Sequence, residues 1–291
     1  MNPMIKWTTL ALAICLPLSA QAHRAWMLPS ATVLSGDEPW ITVDAAVSND
    51  LFYFEHVPLR LQGIGDTAQA PAGGPPGMRA RPTPALQIVA PDGSHASAQN
   101  GSIGRYRSTF DVQLSQKGTY KLAVANSGLF ASWKEKGELR RWMGTAENFA
   151  KDVPANAEDL KISQTSSRME VFVTSGNPTE SVLKPTGQGL ELAPVTHPND
   201  LFAGEAAEFV FLLDGKPAAN VDISVIPGGN RYRDDLGEIK AKTAADGKVR
   251  ITWPEAGMYW LEAELVTDQG VNKPAIERRA SYSATLEVLA Q

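Results

Sequence analysis

Four histidines carry most of the chemistry available to this 291-residue sequence. One of them, His23, stands in the run Ala20-Gln21-Ala22-His23-Arg24-Ala25-Trp26-Met27-Leu28-Pro29-Ser30. Cut after Ala22, the chain begins with a histidine that bears a free α-amine. That amine and the ring Nδ1 close a six-membered chelate around one metal ion. An α-amine has an ordinary pKa of about 8, so a metal displaces its proton readily near neutrality. A second imidazole completes a three-nitrogen set, the arrangement called a histidine brace in copper proteins. Amine and imidazole nitrogens suit copper, nickel, cobalt or zinc, with affinity rising toward copper.

The other three histidines decide how such a set is completed. His56 ends the aromatic-rich stretch Ser48-Asn49-Asp50-Leu51-Phe52-Tyr53-Phe54-Glu55-His56. It reads either as the second ligand or as a half-buried loop histidine packed on Phe52, Tyr53 and Phe54. Glu55 and Asp50 beside it read as partners that fix a ligand tautomer, or as solvated charges. His197, in "APVTHPNDLFAG", reads as strand-end turn chemistry or as a third ligand carried from a second domain to an interface. His95 follows Pro91-Asp92-Gly93-Ser94 on a hairpin tip and is left out of the site. No H-x-x-x-H, H-E-x-x-H or His-plus-Cys spacing occurs, so the metal signal rests on the amino terminus. The expected metal ligands are His23, His56 and His197.

Catalytic motifs are missing from the sequence. There is no G-x-S-x-G elbow, no strand-to-helix G-x-G-x-x-G and no P-loop. "RYRDDLG" (231–237) reads as a solvated charged loop. "LFASWKEKGELRRWMG" (129–144) carries Trp133 and Trp142 among charges. It reads as a β-hairpin with buried indoles, or as a partner or sugar-stacking surface. The expectation is a binding protein and not an enzyme.

The elements that must hold these residues are mostly strands. Residues 1–22 have the form of a signal peptide: Lys6, an apolar run, then Ala20-Gln21-Ala22. The apolar run falls short of the roughly 20 residues a spanning helix needs, and no later stretch is apolar enough. The mature chain is expected in the periplasm with no transmembrane segment. Its one cysteine, Cys15, lies within that signal, which leaves no disulfide and no thiolate ligand. A formal charge of −5 without a basic stripe argues against a nucleic-acid partner.

Turn-bounded, β-branched runs predict strands at 40–47, 85–91, 106–114, 119–125 and 168–176. One short helix is expected, capped by Thr145 and stopped by Pro154. Residues 63–84, dense in Gly, Pro and Ala, read as a flexible insertion, and 177–189 as a linker. A second β unit follows, with strands in 190–195, 206–215, 219–229, 248–254, 258–266 and 281–289, and Trp253 and Trp260 as core anchors. The fold class is all-β: two β-sandwich domains, immunoglobulin- or transthyretin-like, over 23–176 and 190–291.

Several ordered segments carry a family resemblance. They are "AHRAWMLPSATVLSGDEPWITVDAAVSNDLFYFEHVPLRL", "RYRSTFDV", "GLFASWKEKGELRRWMGTAENFAKDVPA", "LKPTGQGLELAPVTHPNDLFAGE" and "IPGGNRYRDD…TWPEAGMYWLEA". Together they resemble a family of exported bacterial proteins of uncharacterised function, often filed as the periplasmic component of nickel or cobalt uptake. The family's start, Ala-His followed by an aromatic and Pro-Ser, falls here on Ala22, His23, Trp26, Pro29 and Ser30. The resemblance implies periplasmic location, handling of a divalent transition metal and a membrane metal transporter as partner.

The resulting expectation is a protein that captures or delivers nickel, cobalt or copper for uptake. A rival from another class is an envelope interaction or glycan-binding module in which His23 is incidental.

Overall fold

The computed structural model describes residues 23–65 and 83–291. The expected signal peptide, 1–22, and most of the expected flexible insertion at 63–84 lie outside the described residues. In chain order the first half forms β1 (Arg24–Pro29), β2 (Val33–Leu34), β3 (Trp40–Ser48), β4 (Val57–Pro58), β5 (Leu86–Val89) and β6 (His95–Ala96). It continues with β7 (Gln99–Ile103), β8 (Ser108–Gln113), β9 (Gly118–Glu135), β10 (Glu138–Gly144), the helix α1 (Ala146–Asp152) and β11 (Glu158–Ser175). The second half forms β12 (Leu190–Pro194), β13 (Ala206–Leu213), β14 (Lys216–Pro217) and β15 (Asp222–Pro227). It ends with β16 (Ile239–Lys242), β17 (Lys248–Thr252), β18 (Gly257–Thr267) and β19 (Glu277–Val288). Among the described residues no helix is long and apolar enough to cross a membrane.

These strands build two β-sandwiches with one short helix. A five-stranded sheet, ordered β1-β3-β8-β7 with β4 on β3, covers one sandwich, and a four-stranded sheet of β12, β13, β14 and β17 covers the other. A single ten-stranded sheet, ordered β16-β15-β18-β19-β11-β9-β5-β6 with β10 and β2 attached, runs behind both. Alternation explains the faces: β8 buries Ser108, Phe110 and Val112, while β13 buries Ala207, Phe209 and Phe211. The first core joins Met27, Val43, Phe110, Tyr120, Leu122 and Val171. The second joins Phe209, Phe211, Trp253, Val225, Leu261 and Tyr282. Trp253 anchors that core as expected. Trp260 does not: it belongs to a separate cluster with Trp26, Ala46, Leu51 and Ile226, where the two sandwiches meet.

The shared sheet depends on one parallel ladder. β11 pairs with β19 from Ser163↔Glu277 to Val171↔Thr285, while its other edge pairs antiparallel with β9. Both β9 and β11 run well beyond their predicted lengths. The stretch Ala125-Asn126-Ser127-Gly128 has turn composition, yet it stays extended because Arg168 to Thr165 lie opposite it. Past that stretch, β9 and β10 form a hairpin in which Trp133 and Trp142 are buried with Ile162 and Val153. Trp142 meets Phe149 of α1 edge-on, at a centroid distance of 5.5 Å, and its indole N–H donates to Asp152 at 3.2 Å. Buried indoles under wet charges such as Arg140 and Glu135 leave no aromatic platform there.

A charged cluster crosses the junction. The buried Glu170 carboxylate lies 3.8 Å from Lys121 Nζ and 3.3 Å from Arg168, and accepts the Tyr282 hydroxyl at 3.0 Å. Burial pushes the Glu170 carboxyl up, against the pull of Lys121 and Arg168, and pushes Tyr282 up too. Arg168 also reaches buried Glu191, 3.5 Å away. Glu191 in turn accepts the N–H groups of Thr186, Gly187 and Gln188. The segment of linker composition is therefore tied at its end by a carboxylate, and it includes a 3₁₀ turn at Ser181–Leu183.

Glu170→Ala would leave buried Lys121 without its carboxylate and Arg168 with Glu191 alone, and is expected to cost about 3–5 kcal/mol in urea unfolding. Glu170→Gln keeps an acceptor for Tyr282 and is expected to cost less. Unchanged unfolding of Glu170→Ala would mean that the cluster carries no stability.

Candidate functional site

His23 immediately precedes β1, and His56 immediately precedes β4. Both short strands pair with the end of β3, where Arg24 lies opposite Ser48 and Val57 opposite Val47. The end of one strand thus receives two histidines 33 positions apart in sequence. Their rings lie face to face, with centroids 3.9 Å apart and planes inclined by 15°. Both side chains are exposed.

The frame beneath His23 is fixed within three residues. Trp26 is fully buried and donates its indole N–H to Ser48 Oγ at 2.8 Å. Arg24 donates to the Asn49 carbonyl at 3.4 Å, and its guanidinium lies 5.5 Å from the ring centroid of Trp260. The Trp260 indole N–H donates to the Ala25 carbonyl at 3.2 Å. A residue of the second sandwich therefore holds β1 two positions from His23.

The loop leading to His56 is fixed as closely. Ser48 Oγ donates to the Asp50 carbonyl at 2.6 Å. Glu55 closes the loop on itself, accepting the N–H of Asn49 at 2.8 Å and of Asp50 at 3.2 Å. Burial raises the Glu55 carboxyl, but those two N–H groups and the Arg231 charge outweigh it and hold it below the usual value. Glu55 thus shapes the loop by its backbone contacts. Phe52 adopts φ of 60° and packs so tightly against Gly228 that a Cβ there would meet its ring at 2.8 Å. From the second sandwich, Asn230 accepts the Leu51 N–H at 2.8 Å and donates to Asp50 at 3.2 Å. Arg231 lies 3.5 Å from Asp50 and stacks 4.0 Å over Tyr53. The charged 231–237 loop is partly solvated, as expected, but its first residues are an interface.

What the pair can do follows from ring geometry. A metal–imidazole bond of about 2.0–2.1 Å uses a lone pair in the ring plane. Two near-parallel stacked rings cannot share an ion between their faces, so joint ligation requires at least one ring to turn about its side-chain torsions. Exposure leaves room for that turn, and the α-amine of a chain beginning at His23 would lie on the same residue. Among the described residues no three His, Cys, Asp or Glu side chains converge into a metal-holding group.

His197 does not join the pair. It lies between β12 and β13, half-buried, with both ring nitrogens occupied. Nδ1 accepts the Asn199 N–H at 3.0 Å, while Nε2 sits 3.2 Å from the Thr179 carbonyl and from Thr119 Oγ1. A carbonyl only accepts, so Nε2 carries the hydrogen and the ring is neutral. Asn199 extends the network by accepting from Thr174 Oγ1 and donating to the Phe172 carbonyl, both at 2.9 Å. His197 therefore latches the second sandwich to β9 and β11 of the first, and lone pairs already spent on hydrogen bonds cannot ligate. His95 is exposed on β6, opposite Val89.

Two titrating groups near these contacts oppose each other. Burial lowers His197, against the pull of the Thr179 carbonyl, Asp200 and Glu180. As pH falls below the ordinary 6.5, the unfolded chain protonates first and stability is lost. Glu262 on β18 is pushed up to about 7, first by burial and then by Glu264, against Arg24, with Glu238 adding. Its contribution to stability is complete below pH 4.5 and is lost as pH rises from there through about 7. The two slopes cancel in part between pH 5 and 7. Relative to wild type, stability over that range should fall with pH more steeply in His197→Leu, and less steeply in Glu262→Gln. Parallel curves for all three proteins would disprove both assignments.

A family model described as a domain of unknown function (DUF4198) matches residues 20–267. That description says nothing of nickel or cobalt. No curated protein matches the chain. Among solved structures, the D0-D1 domain of intimin is similar over 90% of this chain and 97% of that one, at 11% sequence identity and a TM-score of 0.21. So low a score carries no argument, and the sandwich architecture rests on the strand order itself.

Proposed function

The chain belongs to the DUF4198 family, and on the geometry of its two exposed histidines we propose that it is a periplasmic transition-metal-binding protein without enzymatic activity. It captures nickel, cobalt or copper, or delivers the ion to a membrane transporter for uptake. Export and cleavage after Ala22 expose His23, whose α-amine and Nδ1 chelate the ion, and a turned His56 ring supplies the third nitrogen.

One observation carries this reading: the approach of the His23 and His56 rings to 3.9 Å, at exposed positions on a rigid frame. Two exposed imidazoles from separate segments gain little stability by meeting. Their meeting point also lies at the one residue that cleavage would convert into a chelating terminus. A nitrogen-only ligand set of this kind favours late first-row divalent ions over magnesium or calcium. The rival reading, a glycan or envelope-partner surface at 129–144, has less to draw on, because Trp133 and Trp142 are buried.

Mass spectrometry of the exported protein is expected to find His23 as the first residue. Titration with Ni²⁺, Co²⁺ and Cu²⁺ should then give one site per chain. Either His56→Ala or one extra residue placed before His23 should weaken binding by about tenfold or more, a loss of at least about 1.4 kcal/mol. Affinity indifferent to both changes would remove the chelate from consideration.

A further inference from the structure

Two of the pair's supports, Asn230 and Trp260, come from the far sandwich, and neither is part of the first core. Asn230 is buried at 7% exposure in the 3₁₀ turn Asn230–Tyr232. Its amide spends both ends on one loop of the other sandwich: Oδ1 takes the Leu51 N–H and Nδ2 gives to Asp50 Oδ1. The Leu51 N–H sits at a turn where no strand partner exists, so removing the acceptor leaves a buried donor unpaired. Four residues further along that loop comes Glu55, which folds it back on Asn49 and Asp50, and the next residue is His56. Any shift of the Asp50–Leu51 backbone is therefore passed to the His56 ring through a closed turn. Trp260 does the corresponding job on His23 through the Ala25 carbonyl and the Arg24 guanidinium.

We propose that Asn230 is a positioning residue for the His23–His56 pair, so that occupancy of the pair by a metal ion and docking of the second sandwich are thermodynamically coupled. The proposal rests on the metal-binding reading given above. Coupling of this kind is reciprocal: if docking strengthens metal binding, bound metal must tighten docking by the same factor. The second sandwich, which contributes no metal ligand, then serves as the element that sets affinity. A transporter or chaperone that gripped this sandwich and loosened the 228–233 turn would lower the site's affinity and release the ion.

The test uses the full chain processed to begin at His23, with Cu²⁺ alone as probe. Asn230→Ala is compared with wild type and with Ile223→Val, a core change in the same sandwich chosen as a stability control. Asn230→Ala is expected to bind Cu²⁺ about tenfold more weakly or worse, the scale seen when a partner that orients a ligand is lost. Ile223→Val is expected to bind as wild type does. In wild type, Cu²⁺ should slow hydrogen exchange at the Leu51 amide, and it should fail to do so in His23→Ala, which still folds its Asn230 contact. Equal Cu²⁺ affinity in Asn230→Ala and wild type would overturn the coupling while leaving the site intact. Absence of Cu²⁺ binding by wild type would overturn the site itself, and the coupling with it.

Discussion

Parallel pairing of β11 with β19 is the constraint from which the rest of this architecture follows. Parallel strands cannot be joined by a tight turn, so a long crossover must separate β11 from β19, and here that crossover carries β12 to β18 of the second sandwich. Because β11 also carries β9 on its other edge, the two cores share one backbone ladder. Their mutual orientation is thereby set by main-chain hydrogen bonds and is not left to side chains alone. Glu170, Arg168 and Tyr282 lie on this ladder, and Lys121 joins them from β9. A buried charge cluster tolerates little misregister, since each member needs its partner within hydrogen-bond reach.

Fixing the ladder fixes everything at the rim. Trp26, Ala46, Leu51, Ile226 and Trp260 fill the space that opens where the two sandwiches lean together. The amino-terminal strand is pinned there by indole and guanidinium contacts that only a docked second sandwich supplies. The site is thus a product of tertiary assembly, although both of its histidines come from a stretch of fewer than forty residues.

Local pattern carried much of this in advance. The strands at 40–48, 108–113, 206–213 and 222–227 alternate apolar and polar residues, and turn pairs such as Asp214-Gly215 separate them, so physics acting over a few residues suffices to reveal them. The short helix after Thr145 was legible for the same reason. Trp133 and Trp142 could be read as buried indoles because charges alternate with them. The full lengths of β9 and β11 were hidden, because Asn126-Ser127-Gly128 has turn chemistry and is held extended only by neighbours forty residues away. Likewise Asn230 carries no local mark: its partner Leu51 lies 179 positions away. His197 misled for a related reason. A histidine before a proline in a turn offers the same letters whether its nitrogens are free or engaged, and only the fold reveals Thr119, Thr179 and Asn199 around it.

The continuous ladder also determines how the gene product can be divided. The two sandwiches look separable on paper, with glycine and proline between them. A chain ended after Ser175 would nevertheless lay bare the whole β19-facing border of β11, a row of unsatisfied amides and carbonyls beside Val171 and Met169. Such a border is a template for another copy of itself. An excised first half would offer that border to another chain for pairing, whereas in the undivided molecule β19 covers it.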